Sequence, residues 1–347
     1  MMKVRLGRTG LMVTKTSFGA LPIQRISFDE ARDILRKAYE NGINYYDTAR
    51  SYTDSEEKLG YALSDVRKDI IISTKTPGKT KEQVLADIQT SLKMLKTDYV
   101  DILQLHNPSQ QDLGDLDNPD GIYAGLVEAQ KRGYTRFIGI TNHRLQVAMD
   151  SALSGKYDTV QFPFNYLSSD KDVKLVETCK EQDVGFIAMK ALSGGLITDA
   201  RLTFLHMRQY ENAVPIYGIQ RMSELDQFLE LEKCPPVLDD EMKAAIARDR
   251  VQLAGNFCRS CGYCMPCPMG ITIPEAARME FLLRRSPYRR FLTKEWQEKM
   301  EKVTSCINCG HCKSKCPYEL DTPALLRHNL EDYRKFLAEH ADEIPQE

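Results

Sequence analysis

The chain has 347 residues, 42% of them hydrophobic and 28% charged, enough for one large soluble domain and a smaller second one. A net charge of −2 and a pI near 6.4 offer nothing basic enough to suggest nucleic acid as a partner. No apolar run is long enough to span a bilayer and the N-terminus lacks a signal-peptide core, so a cytoplasmic protein with no membrane association is expected.

Residues 14–20 predict a first strand, ending in Phe18-Gly19-Ala20. Ser27, with Glu30 three residues on, forms a capping box for a helix through Ala31, Ile34, Leu35 and Ala38 that stops at Gly42. The rhythm then repeats. Strands are predicted near 43–47, 70–74, 99–105, 136–140, 159–162, 185–189 and 214–218. Helical patterns fall at 55–60, 80–96, 119–132, 144–152, 170–183, 199–210 and 222–231. Many of the strands are unbroken apolar runs, as strands buried on both faces are. Eight strands alternating with helices predict an α/β fold, a (β/α)8 TIM barrel, over residues 1–233. Cys234-Pro235-Pro236 forbids a continuing helix and marks a boundary. Residues 234–347 predict a small, mainly helical domain, with helical patterns near 239–253, 275–303 and 322–340 around two groups of cysteines.

Three successive strands of the barrel end in a titratable group. Asp47 follows the second, Lys75 ends the third and His106 ends the fourth, while Tyr52 lies on the loop after Asp47. In a parallel barrel those ends share one mouth, where active sites lie. A phenol has a reference pKa of ~10. The Lys75 ammonium favours the phenolate and so is expected to make Tyr52 a better proton donor. Asp47 can hold Lys75 in place, and His106 can hydrogen-bond a carbonyl or share the Tyr52 proton. Such a set can polarise and protonate a carbonyl oxygen while hydride reaches the carbon.

Asp47, Tyr52, Lys75 and His106 resemble the catalytic tetrad of the aldo/keto reductases. The likeness covers most of residues 3–231 and includes Leu6-Gly7-Arg8-Thr9-Gly10-Leu11, Phe18-Gly19 and Leu105-His106-Asn107-Pro108. It implies reduction of a small-molecule carbonyl with NAD(P)(H), often NADP. It also implies that Thr141, Asn142 and Gln161 hold the nicotinamide carboxamide, although Asn142 is equally placed to cap the next helix. Where the family often stacks an aromatic on the nicotinamide, this chain has Met189, followed by Lys190. Where many members hold a 2′-phosphate with a lysine and an arginine, it has Gly218 and Glu224, with Arg221 nearby. No strand-linked GxGxxG is present, which argues against a Rossmann domain.

Of 10 cysteines, eight lie in two runs. The first comprises Cys258, Cys261, Cys264 and Cys267, the second Cys306, Cys309, Cys312 and Cys316. The second run has the C-x2-C-x2-C-x3-C-P spacing of bacterial ferredoxins, in which three thiolates hold one [4Fe–4S] cluster and the fourth ligates the other. The first run is one residue shorter before its last cysteine. Zinc on paired C-x2-C knuckles is the competing reading. Both runs end in Cys-Pro, and with Gly270-Ile271-Thr272-Ile273-Pro274 they resemble the dicluster ferredoxin extension of some aldo/keto reductase-like proteins. Two [4Fe–4S] clusters with exchanged fourth ligands are therefore expected. His311 beside a ligand reads as an outer or exposed residue. The lone Cys179 and Cys234 read as small buried hydrophobes. Between the runs, residues 278–302 carry eight Lys/Arg against four Asp/Glu, a net of +4. That is a docking face for an acidic electron carrier or simply a solvated helix face.

Three functions stay open on sequence. One is an oxidoreductase of the aldo/keto reductase type. The second is an electron-transfer protein exchanging single electrons with a redox partner, through a bound flavin where one is present. The third is a redox- or oxygen-sensing regulator.

Overall fold

The structure is a computed structural model that describes residues 1–114, 116–253, 257–285 and 288–345. Its first two strands, β1 (Lys3–Arg5) and β2 (Met12–Thr14), form an antiparallel hairpin. Eight parallel strands follow: β3 (Ser17–Gly19), β4 (Tyr45–Asp47), β5 (Ile71–Thr76), β6 (Val100–His106), β7 (Thr135–Thr141), β8 (Thr159–Pro163), β9 (Gly185–Met189) and β10 (Ala213–Gly218). They close into a barrel in chain order, with β10 pairing back onto β3. This is the (β/α)8 architecture that the alternating pattern predicts.

The predicted first strand over 14–20 is divided between hairpin and barrel. Thr14 ends β2, and the Ser17 hydroxyl donates to the Thr14 carbonyl, turning the chain before β3 begins. An apolar run alone cannot show that turn. Between the hairpin strands, Gly7 has φ 49°, and a Cβ there would sit 2.2 Å from the Gly185 nitrogen. The glycine lets the hairpin lie directly against the start of β9.

Helices fill the crossovers, among them Phe28–Glu40, Ser55–Leu63, Lys81–Leu95, Asp170–Glu181 and Met222–Lys233. Ser27 and Glu30 make the expected reciprocal capping box. Within the barrel, Tyr45, Ile102, Ile187, Val214 and Ile216 form part of one apolar cluster with Leu6, Leu11 and Val13 of the hairpin segment. Burial of these side chains favours one strand register, and with it the level at which each strand-end residue reaches the mouth.

Contacts divide the chain into two compact units, Met1–Ala191 with Asp199–Ile246, and Leu192–Thr198 with Ala247–Glu347. In the second unit the charged span predicted at 275–303 is a series of short helices, including Ile273–Ala276, Met279–Arg285 and Lys294–Glu301, with 286 and 287 outside the described residues. The long helix Thr322–Glu339 packs against several of them. Cys179 is buried, and burial pushes its thiol up to about 12; Cys234 is exposed, against expectation, because it caps the last barrel helix.

Candidate active site and cysteine runs

Asp47 closes β4, Lys75 is the next-to-last residue of β5, and His106 closes β6. Tyr52 lies in a turn that leads into helix Ser55–Leu63, its N–H donating to the Ala49 carbonyl at 3.0 Å. The parallel strands bring all four together. Lys75 Nζ donates to Asp47 Oδ2 at 2.5 Å and to the Thr48 carbonyl at 2.6 Å. The ammonium lies 5.2 Å from the centre of the Tyr52 ring. The Tyr52 and His106 rings meet edge to face, with centroids 5.7 Å apart.

The electrostatics correct one expectation. Burial raises the Tyr52 phenol above its ordinary value; the Lys75 charge and hydrogen bond offset only part of that, and Asp47 adds to it. Tyr52 is therefore a weaker acid than a free phenol, because desolvation outweighs the ammonium. For Lys75, burial alone would lower the value, but the charges and hydrogen bonds of Asp47 and Tyr52 prevail and raise it. His106 is brought down to about 3 by burial and the Lys75 charge, so its imidazole is neutral at ordinary pH.

The residues matched to a nicotinamide lie along the same rim. Thr141 closes β7, and its hydroxyl faces Met189 Sδ at 3.8 Å. The Asn142 amide is committed to the fold: Nδ2 donates to the Pro108 carbonyl at 2.8 Å and Oδ1 accepts from the Arg144 N–H at 2.8 Å, just before helix Leu145–Leu153. Gln161, on β8, accepts from Gln104 Nε2 at 2.9 Å, which leaves its own NH2 free to donate. Paired donors and acceptors at adjoining strand ends fit a carboxamide. Met189 packs into the core with Ile187, Val214 and Ile216, and Lys190 turns the chain with φ 57°. Gly218 ends β10, where a Cβ would lie 3.1 Å from Pro22 Cγ. Arg221 pairs with Glu224 at 2.6 Å, and Glu224 also accepts the N–H groups of Gln220 and Arg221 at 2.8 and 3.0 Å. Glu224 thus caps helix Met222–Lys233, and its charge is already met by Arg221.

Residues missed by sequence reasoning join this site. Ser73 Oγ donates to Asp47 Oδ1 at 2.6 Å. Gln104 is fully buried in β6, and an amide between Leu103 and Leu105 was the available signal. His143 is buried, and burial first, then the Lys190 charge, holds its imidazole well below the ordinary value.

In the second unit, Cys267 lines one pocket with Cys306, Cys309 and Cys312, alongside Ile271, Ile273 and Leu326. Cys264 feels Cys258 and Cys261, and Tyr318 feels Cys261, Cys316 and Cys258. Among the described residues no three His, Cys, Asp or Glu groups converge tightly enough for a single metal ion. The four thiols around this apolar pocket suit a cluster whose irons each take one thiolate. His311 is exposed on the rim of that pocket. Four of the eight basic residues in the spacer are held in ion pairs: Arg284 with Asp332, Arg285 with Asp249, Arg289 with Glu343 and Lys299 with Glu295. It is a weaker docking face than its net charge suggested.

A sequence profile of the Aldo/keto reductase family matches residues 14–211, more than half of the chain, and a 4Fe-4S dicluster domain profile matches residues 257–321. L-galactose dehydrogenase of Arabidopsis thaliana is 34% identical over 215 residues, which is 56% of this chain and 66% of that protein. Methylglyoxal reductase DkgB of Salmonella typhi is 33% identical over 147 residues, 41% of this chain and 53% of that one. The fold is shared with an aldo-keto reductase from Bacillus halodurans, at a TM-score of 0.62 and 22% identity, covering 72% of this chain and 96% of that structure.

Proposed function

The chain belongs to the aldo/keto reductase family and carries a 4Fe-4S dicluster domain, and from that premise we propose that it reduces a small-molecule aldehyde or ketone to an alcohol at the barrel mouth. Bound NAD(P)H would supply the hydride, held by Gln161 and Thr141. Tyr52 gives the proton to the carbonyl oxygen. Its raised pKa keeps that proton on until a developing alkoxide takes it. Lys75, fixed by Asp47, stabilises the phenolate left behind. Neutral His106 donates one N–H to the same oxygen and fixes its direction.

The observation that carries this reading is the Asp47–Lys75 pair of 2.5 Å set against a phenol and a neutral imidazole. Tyr52→Phe keeps the ring and removes only the acid. Turnover of a carbonyl that the wild type reduces, measured anaerobically with each nicotinamide cofactor, should fall by ~10²–10⁴. Unchanged turnover would remove Tyr52 from its role.

A second reading is favoured by the four-thiol pocket of Cys267, Cys306, Cys309 and Cys312. Two clusters are more than a structural staple needs. In this reading they exchange single electrons with a carrier protein, and a bound flavin in the barrel joins them to two-electron chemistry.

A further inference from the structure

β6 carries an amide where a strand buried on both faces calls for an apolar side chain. Gln104 is 0% exposed, and its Oε1 has no hydrogen-bond partner. Burying an unpaired carbonyl is unfavourable, and a leucine would avoid that cost. The same amide makes two bonds with its nitrogen. Nε2 donates to Gln161 Oε1 at 2.9 Å and reaches Asp47 Oδ1 at 3.4 Å. Asp47 Oδ1 also takes the Ser73 hydroxyl at 2.6 Å, and Tyr45 OH lies 2.9 Å from Ser73 Oγ. The register explains the reach. Gln104 pairs with Lys75 on one side and with Gly139 on the other, and a Cβ on Gly139 would lie 3.2 Å from Gln104 Cγ and 2.1 Å from Thr159 Oγ1.

We propose that Gln104 is a positioning residue that ties the Asp47–Lys75 pair beside Tyr52 to Gln161, so that the acid and the nicotinamide-side amide are set by one buried hub. This rests on the reading of the barrel as a carbonyl reductase. The Ser73 hydroxyl bonds Asp47 and Tyr45 but not Gln161, whereas the Gln104 amide reaches both Asp47 and Gln161.

The test uses the full-length protein with its clusters loaded. Gln104→Leu should weaken NADPH or NADH binding, read by quenching of protein fluorescence, by about tenfold, the scale of one lost buried hydrogen bond. It should also raise the pKa of Tyr52, because Lys75 is held less firmly near the phenol. That value is read without substrate from the 13Cζ resonance of labelled tyrosine, assigned with Tyr52→Phe. Ser73→Ala should move the Tyr52 resonance but leave cofactor binding within twofold. Gln104→Glu keeps the shape, adds a negative charge beside Asp47, and should raise the Tyr52 pKa further. A folded Gln104→Leu protein with wild-type cofactor affinity and wild-type Tyr52 titration would overturn the proposal. Wild-type protein that reduces no carbonyl would instead count against the reductase reading, while the Tyr52 resonance would still report on the hub.

Discussion

Tyr52 sits under two opposed influences, and their balance decides how the site works. Desolvation raises the phenol and keeps it protonated, while the Lys75 charge opposes that rise and, in the proposed mechanism, makes loss of the proton tolerable. His106 has been driven to about 3, so it changes charge far below working pH. The rate of carbonyl reduction should therefore be flat from about pH 5 to 9, with no inflection near the ordinary histidine value of ~6.5. A pH–rate profile at saturating substrate checks this, and an inflection near 6.5 that His106→Asn abolishes would contradict it. The same shift acts on stability. In the unfolded chain His106 binds a proton as pH falls through ~6.5, while in the fold it does so only near 3. Stability is thus fully present above the unfolded value and is lost as pH falls toward the folded one. Residue types and strand-end positions made the four central residues legible in sequence. The sign of the Tyr52 shift was not legible, because it depends on how much water the folded mouth excludes. Gln104 and His143 were passed over because their partners lie on other strands.

Element by element, periodicity located the eight barrel strands, since apolar runs and caps such as Ser27 with Glu30 are local signals. It failed where a tertiary turn intervenes, at Ser17, and where short helices follow one another between Ile273 and Ser305. Spacing within the cysteine runs is also local, but which cysteines of the two runs meet in space is not. Cys267 belongs to the first run in sequence and lines the pocket of the second in space. Cys267→Ser should therefore damage the cluster held by Cys306, Cys309 and Cys312. Its anaerobic iron content should fall from about eight per chain to about four, or to about seven where the damaged cluster keeps three irons. Its paramagnetic resonance spectrum should match that of Cys306→Ser and differ from that of Cys258→Ser. A match to Cys258→Ser would place Cys267 with its own run.

At the scale of the whole molecule, the question is whether barrel and cluster chemistry connect. A nicotinamide passes two electrons together as hydride, whereas a [4Fe–4S] cluster accepts one at a time over potentials from about −700 to +450 mV. Proximity alone does not join them. An intermediate stable after losing one electron is required, and in the proposed mechanism Asp47, Tyr52, Lys75 and His106 act on a proton, not on single electrons. Flavin-free protein, anaerobic and with both clusters intact, should therefore keep its clusters oxidised when given NADH or NADPH alone. Dithionite, or a reduced ferredoxin, should reduce at least one cluster, read as its paramagnetic resonance signal. Because the prediction follows from electron counting, it holds whatever the distance between the two units. A signal with nicotinamide alone would show that the chain supplies a one-electron step itself, and the electron-transfer reading would then displace the simple reductase.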